Sequence, residues 1–187
     1  ALFSTKEFSI HKFYSYLKSL GIKTSKDSLY SYLRILSEAF FIFSLKKFSF
    51  AYKKSEQSLP KIYLIDNGLL KIHGINDKGK LLENTVFVEL LRRQKETAYF
   101  KTASNEETDF VIKKDKRVVE IIQVCYDLTN QETKQRETTG LIKAGKELKC
   151  NNLTVLTFNH SGKETPQSKK EKTKIKFTPV WKWLLEK

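Results

Sequence analysis

Methionine is absent from this chain, and glycine, proline and cysteine are scarce, at 7, 3 and 2 of 187 residues. Two cysteines without CxxC spacing, Cys125 and Cys150, argue against a disulfide framework or a zinc site, so a reduced, cytoplasmic setting is expected. No run reaches the roughly 18 apolar residues of a membrane span. The most apolar stretch, Ala39 to Leu45, meets lysines at once, and Lys6, Glu7, His11 and Lys12 break any signal-peptide core. No GxxxxGK[ST] loop occurs, so these residues hold no P-loop for ATP. Acidic residues are also short, 21 against 35 Lys and Arg, which leaves a net charge of +14 and a pI near 9.6. A field of that sign attracts polyanions, DNA first among them. The competing explanation is a proteome bias in which lysine is the default surface residue, and 13 Phe and 8 Tyr fit it equally well.

What is present divides into two parts, with a boundary expected near residues 75 and 76. In the first, Ile10, Phe13, Leu17 and Leu20 fall at helical spacing and Gly21 supplies a stop. Thr24 or Ser25 caps a second helix whose apolar side is Leu29, Leu33, Leu36 and Phe40. Two helices joined by so short a connection follow helix-turn-helix grammar, with Ser25 to Ala39 as the recognition helix. Phe40 to Phe50 and Lys61 to Asp66 are rich in strand formers, and the basic link Lys53 to Pro60 reads as the tip of a wing. The expected DNA contacts are Lys26, Arg34, Lys53 and Lys54. The alternative is a connector or protein-interaction module that binds no DNA. A winged helix carries a further helix before these two, so residue 1 is expected to be a cut. Asp66 to Lys80 reads as a linker.

The second part, residues 76 to 187, reads as helix (Lys80 to Gln94), three strands (Ala98 to Ala103, Thr108 to Lys114, Arg117 to Tyr126), helix (Asn130 to Leu148) and strand (Leu153 to Asn159). A lysine-rich loop (Ser161 to Lys172), a strand (Lys174 to Val180) and a short tail helix follow. Lys114-Asp115-Lys116 reads as a hairpin turn.

Three carboxylates stand out against apolar neighbours. Glu83 projects into the stripe Leu82, Val86, Phe87, Leu90 and Leu91, where an unpartnered charge costs several kcal/mol in order of magnitude. Its partner is a metal, a lysine or an arginine; the plainer alternative is a first-turn cap or a lysine pair. Asp109 opens the second of the three strands, and Glu120 lies inside the third, in Val118-Val-Glu-Ile-Ile-Gln-Val. Across a hairpin, Asp109 and Glu120 are expected to lie close enough to hold one Mg2+ or Mn2+ ion. Such an ion activates a water and clamps a phosphate.

The runs Lys80-Leu-Leu-Glu-Asn-Thr-Val-Phe-Val-Glu-Leu90, Glu107-Thr-Asp-Phe-Val111 and Glu120-Ile-Ile-Gln-Val-Cys-Tyr-Asp-Leu128 resemble the C-terminal region of archaeal and bacterial AAA-type ATP-binding proteins. Ser25 to Phe43 and Lys61-Ile-Tyr-Leu-Ile-Asp-Asn-Gly68 resemble the winged-helix segment before it. The resemblance implies an α+β or α/β chain: a winged helix-turn-helix followed by a restriction-endonuclease-like αβββαβ domain of the PD-(D/E)XK type, with a mixed central sheet. It implies Glu83, Asp109 and Glu120 as the acids of that site, and an N-terminal ATPase module, absent from these residues, as the partner that would bind ATP. The motif's lysine position is filled here by Ile122, with Gln123 after it. Gln123 can neither supply a lysine's charge nor donate a proton as it does, and by strand alternation it faces away from Glu120. Lys134, on the following helix, is the substitute, unless it is only a solvated first-turn lysine. Three functions remain open: a DNA-binding regulatory fragment of an ATPase with an inert nuclease-like domain, an active metal-dependent endonuclease, or a protein-interaction module.

Overall fold

The computed structural model describes residues 4–164 and 174–186. Ser9 opens the first helix, α1 (Ile10–Ser19), by accepting the Lys12 amide on its hydroxyl. Gly21, at φ +74°, takes the left-handed turn that ends it. Ser25 caps α2 (Lys26–Glu38) in the same way through the Ser28 amide. Phe8, Ile10, Phe13, Leu17, Leu29 and Leu33 form the apolar seam of this pair.

The ribbon that follows, β1 (Ile42–Leu45) and β2 (Lys61–Leu64), is antiparallel, with Leu45 opposite Lys61 and Phe43 opposite Tyr63. Alternation gives it two inner faces. Ile42, Ile62 and Leu64 pack toward the helices of the first part, while Phe43, Leu45 and Tyr63 join the core of the second. The expected wing tip is instead helical over α3 (Tyr52–Glu56). No glycine or β-branched residue interrupts Tyr52 to Glu56, Pro60 comes only after it, and the turn is tied back by Lys46 to Glu56 and by the Ser55 hydroxyl to the Lys47 carbonyl. The expected linker likewise holds a helix, α4 (Asn67–Ile72), capped by Asp66.

Next come α5 (Lys78–Arg92), β3 (Glu96–Lys101), β4 (Glu107–Lys114), β5 (Arg117–Cys125) and α6 (Gln131–Leu148). They are followed by β6 (Leu153–Thr157), β7 (Gly162–Glu164), β8 (Ile175–Pro179) and α7 (Val180–Leu185). The six-stranded sheet runs β3-β4-β5-β6-β8-β7. Its β3-β4-β5 portion is an antiparallel meander, β5, β6 and β8 are parallel, and β7 adds an antiparallel edge. The fold is therefore a mixed α+β arrangement, with seven helices among the described residues. Asp115 and Lys116, both at positive φ, make the two-residue turn between β4 and β5. The strand β7 lies in the expected lysine-rich loop, whose residues 165–172 fall outside the described residues.

One face of the sheet is covered by α6, with Leu141, Ala144 and Leu148 against Val111, Ile121 and Leu153. Gly145 permits the close approach, because a Cβ there would stand 2.9 Å from the Cys150 carbonyl oxygen. The other face is covered by α5, α7 and the ribbon: Val86, Phe87, Leu90, Val180, Trp183, Leu45 and Tyr63 meet Phe110, Ile112 and Ile122. The Tyr63 ring stacks on Phe87 at 4.1 Å between centroids. The first part thus shares one core with the sheet, and through that shared face β2 reaches the carboxylates. Among the described residues no helix is long and apolar enough to cross a membrane.

Candidate functional site

Lys61 begins β2 on the same face as Tyr63, two residues on, and that face is pressed against α5 and β4. The strand is held there by Asn84 of α5, whose side-chain amide bonds both the N–H and the C=O of Leu64. On the same side of β2, residues 4–8 run alongside, with Thr5 donating to the Ile62 carbonyl and Phe8 to that of Pro60. Lys61 is only 1% exposed as a result. Its ammonium lies 2.7 Å from Glu107, 3.2 Å from Glu83 and 3.5 Å from Asp109. The Tyr63 hydroxyl donates to the same Glu83 oxygen at 2.7 Å.

Asp109 arrives at this cage through a break in strand alternation. Ala98 is opposite Val111 and Phe100 is opposite Thr108, so Asp109 and Phe110 together face Tyr99 alone. The extra residue is a β-bulge, which turns both side chains toward α5 and the ribbon. Regular alternation would have sent Asp109 to the α6 side with Val111. Side chains satisfy two backbone donors beside the bulge. The Asp109 N–H donates to Gln123 Oε1 at 3.2 Å, and the Val124 N–H donates to Asp109 Oδ2 at 2.9 Å. An outer ring surrounds the cage: Lys101 pairs with Glu7 at 2.8 Å and with Glu107 at 3.5 Å, and the Tyr99 hydroxyl donates to Glu7 at 2.9 Å.

These contacts shift the titration of the buried groups. Burial, then the charge of Glu83, pushes Asp109 up to about 8. Burial also raises Glu83, against the pull of Lys61. Burial alone would discharge Lys61, but Asp109, Glu83 and Glu107 together outweigh it and hold the ammonium well above its ordinary range. A lysine so held cannot take a proton from water.

Of the expected site residues, the structure brings Glu83 and Asp109 together and leaves Glu120 apart. In the β4–β5 register Glu120 stands opposite Ile112, whereas Asp109 bonds Gln123 and Val124, so the carboxylates of Asp109 and Glu120 do not meet across the hairpin. Glu120 lies on the face that regular alternation gives it, with Ile122 and cross-strand Ile112, and meets a cavity of about 330 Å3 shared with Arg93, Lys95, Asn152, Lys176 and Trp183; a second bulge, at Val119, adds that side chain to the same cavity. There it accepts from the Thr154 hydroxyl at 3.0 Å. The Asp109–Glu120 pair expected to hold Mg2+ or Mn2+ is therefore not assembled. Among the described residues no group of three His, Cys, Asp or Glu side chains is set to hold a metal. Glu83, Glu107 and Asp109 gather around an ammonium, and that arrangement does not fit a divalent ion as well. Gln123 faces α6 and donates to Glu137 at 2.8 Å. Lys134 lies over the Phe177 ring of β8, 5.6 Å from its centroid, so it is not the cation beside Asp109. That cation is Lys61.

Lys61, Tyr63 and Glu107 were not expected at this site. One signal was available: Lys61 shares an alternating face with Tyr63 in a strand otherwise apolar, and Glu83 needed a cation. Of the expected DNA contacts, Lys26 bonds His11 Nδ1 at 3.0 Å and lies over Tyr14, and Arg34 pairs with Glu38 at 3.5 Å. Lys53 and Lys54 are exposed on α3.

Comparison with known proteins adds the following. The profile of a family described as "Domain of unknown function (DUF4143)" matches residues 78–182. An uncharacterized protein of Methanocaldococcus jannaschii, MJ1544, is 38% identical over 185 residues, covering 96% of this chain and 41% of the relative. An uncharacterized protein of Haemophilus influenzae is 33% identical over 116 residues, covering 60% of this chain and 28% of the relative. The chain thus spans less than half the length of these relatives. No solved structure is a significant match.

Proposed function

The chain belongs to the DUF4143 family, and from its geometry we propose that it is a DNA-binding, regulatory segment of a larger AAA-type ATP-binding protein, in which a winged-helix-like part plugs a nuclease-like site. The observation that carries this reading is Lys61. Its ammonium, supplied by the first part, sits among Glu83, Glu107 and Asp109 at 2.7 to 3.5 Å, where a nuclease would need carboxylates open to metal and phosphate. The locked ammonium supplies no general base, and Ile122 supplies no second cation near the cage. The net charge of +14 favours nucleic acid as the polyanion bound.

The test is a salt series of duplex titrations with a plasmid-nicking assay in Mg2+ and in Mn2+. Binding that weakens steeply with salt, without nicking, is the expected result. Nicking that Asp109→Ala abolishes would make the protein an endonuclease and overturn the plugged site. One observation favours a second reading, a protein-interaction module. The outer side of α2 exposes Tyr32 (58%), Ile35 (53%) and Leu36 (39%), a more apolar surface than a DNA-reading helix presents. Absence of any DNA binding would leave that reading in place.

A further inference from the structure

β3 is an edge strand of the six-stranded sheet, and the segment after β1 meets its outer side at a single parallel bridge, Lys47 with Tyr99. Beyond that bridge the chain turns away into α3. A trough of about 850 Å3 opens between the two, walled by Phe48, Phe50 and Phe100 with Lys47 and Lys54 on its sides. Phe48 and Phe100 are core residues, whereas Phe50 is 79% exposed, as is Tyr52 two residues on. The Phe50 ring meets Phe48 in a T-shaped contact, at 5.2 Å and 79° between planes, and most of its surface stays open to solvent. An aromatic ring left this exposed adds nothing to the core and offers a stacking surface.

The charge around it is mostly positive. Residues 46–56 carry four lysines and one glutamate. That glutamate, Glu56, is held by Lys46 at 2.6 Å, which leaves Lys47, Lys53 and Lys54 to set the sign of the rim. The acid on the far wall, Glu147, is engaged by the Ala103 N–H at 3.1 and 3.2 Å.

We propose that this trough binds single-stranded nucleic acid, with bases stacked on Phe50 and the phosphate backbone held by Lys47 and Lys54. The proposal rests on the nucleic-acid reading above and deepens it, moving the contact from α2 to the β3 edge. Exposed aromatics interleaved with lysines suit unpaired bases, since every base has a face to stack and the lysines track the backbone without reading sequence. An acidic peptide would satisfy the lysines and leave Phe50 unused. A duplex keeps its bases stacked inside and unavailable to the ring.

The experiment is fluorescence anisotropy on the full chain with three labelled probes: oligo-dT of about 12 nucleotides, an abasic strand of equal length and a duplex, a span matched to common single-strand sites. The variants are Phe50→Ala and Lys54→Gln, both at exposed positions, with folding confirmed by circular dichroism. Oligo-dT is expected to bind more tightly than the abasic strand. Phe50→Ala is expected to weaken oligo-dT by about ten-fold, the scale of losing one stacked base, and to leave the abasic strand unaffected. Lys54→Gln should weaken both strands and flatten their salt dependence. Equal binding of dT and abasic strands, or dT binding indifferent to Phe50→Ala, overturns the trough while leaving duplex binding as the surviving reading. Failure of all three probes to bind overturns both.

Discussion

Asp109 and Glu120 make an instructive pair. Each is a carboxylate in an apolar strand run, each lies at a β-bulge, and they are drawn to different ends of one sheet face. At Asp109 the bulge turns the side chain under α5 and the ribbon, into a cage with a buried lysine at its centre. Glu120 instead keeps the face that alternation gives it, beside a bulge at Val119, and meets a cavity where a threonine hydroxyl is its hydrogen-bond partner. The difference shows that a carboxylate among apolar residues reaches a sheet face either by a break in alternation, as Asp109 does, or by alternation itself, as Glu120 does. What the carboxylate does then depends on what that face meets.

The largest effect should come from removing the cage's cation. Lys61→Met leaves buried carboxylates without their partner, and breaking a buried pair in this way costs about 3–5 kcal/mol. Urea unfolding is expected to show a loss on that scale. Glu120→Gln, measured alongside, is expected to cost no more than about 1 kcal/mol, the worth of one hydrogen bond. Comparable losses at the two sites would erase the contrast.

A smaller effect concerns pH. Asp109 is pushed up to about 8, by burial first and then by Glu83, whereas an unfolded aspartate titrates at about 3.9. The folded state therefore binds this proton more tightly than the unfolded state does. The resulting stabilisation is complete below about pH 4 and is lost as pH rises through about 8. Asp109→Asn cannot titrate, so wild-type stability should fall relative to that variant over this interval. A constant difference between the two would show that Asp109 is ionised in the cage throughout.

Much of this fold is legible in the residues themselves. Ser25 before the second helix, Gly21 after the first, the Asp115-Lys116 turn and the alternating strands all act through local chemistry, and the structure follows them. The bulges are not legible, because no glycine or proline marks Asp109 or Val119, and a one-residue slip in register depends on packing from both sheet faces. Lys61 was obscured for a related reason. A lysine at the start of a strand ordinarily faces water, and only the apposition of β2 to α5, which Asn84 fixes, turns it inward. Tyr52 to Glu56 shows the opposite error, where a charged, exposed stretch looks like a loop but has nothing in it to stop a helical turn.

The most direct test of the plugged site is a double-mutant cycle between Lys61 and Glu83, followed by urea unfolding of wild type, Lys61→Met, Glu83→Gln and the double variant. With the two charges coupled in a buried cage, the double variant should be more stable than the sum of the single losses implies, by at least about 1 kcal/mol. Losses that add within about 0.5 kcal/mol would mean that Lys61 does not hold Glu83, and the plug would fall with it.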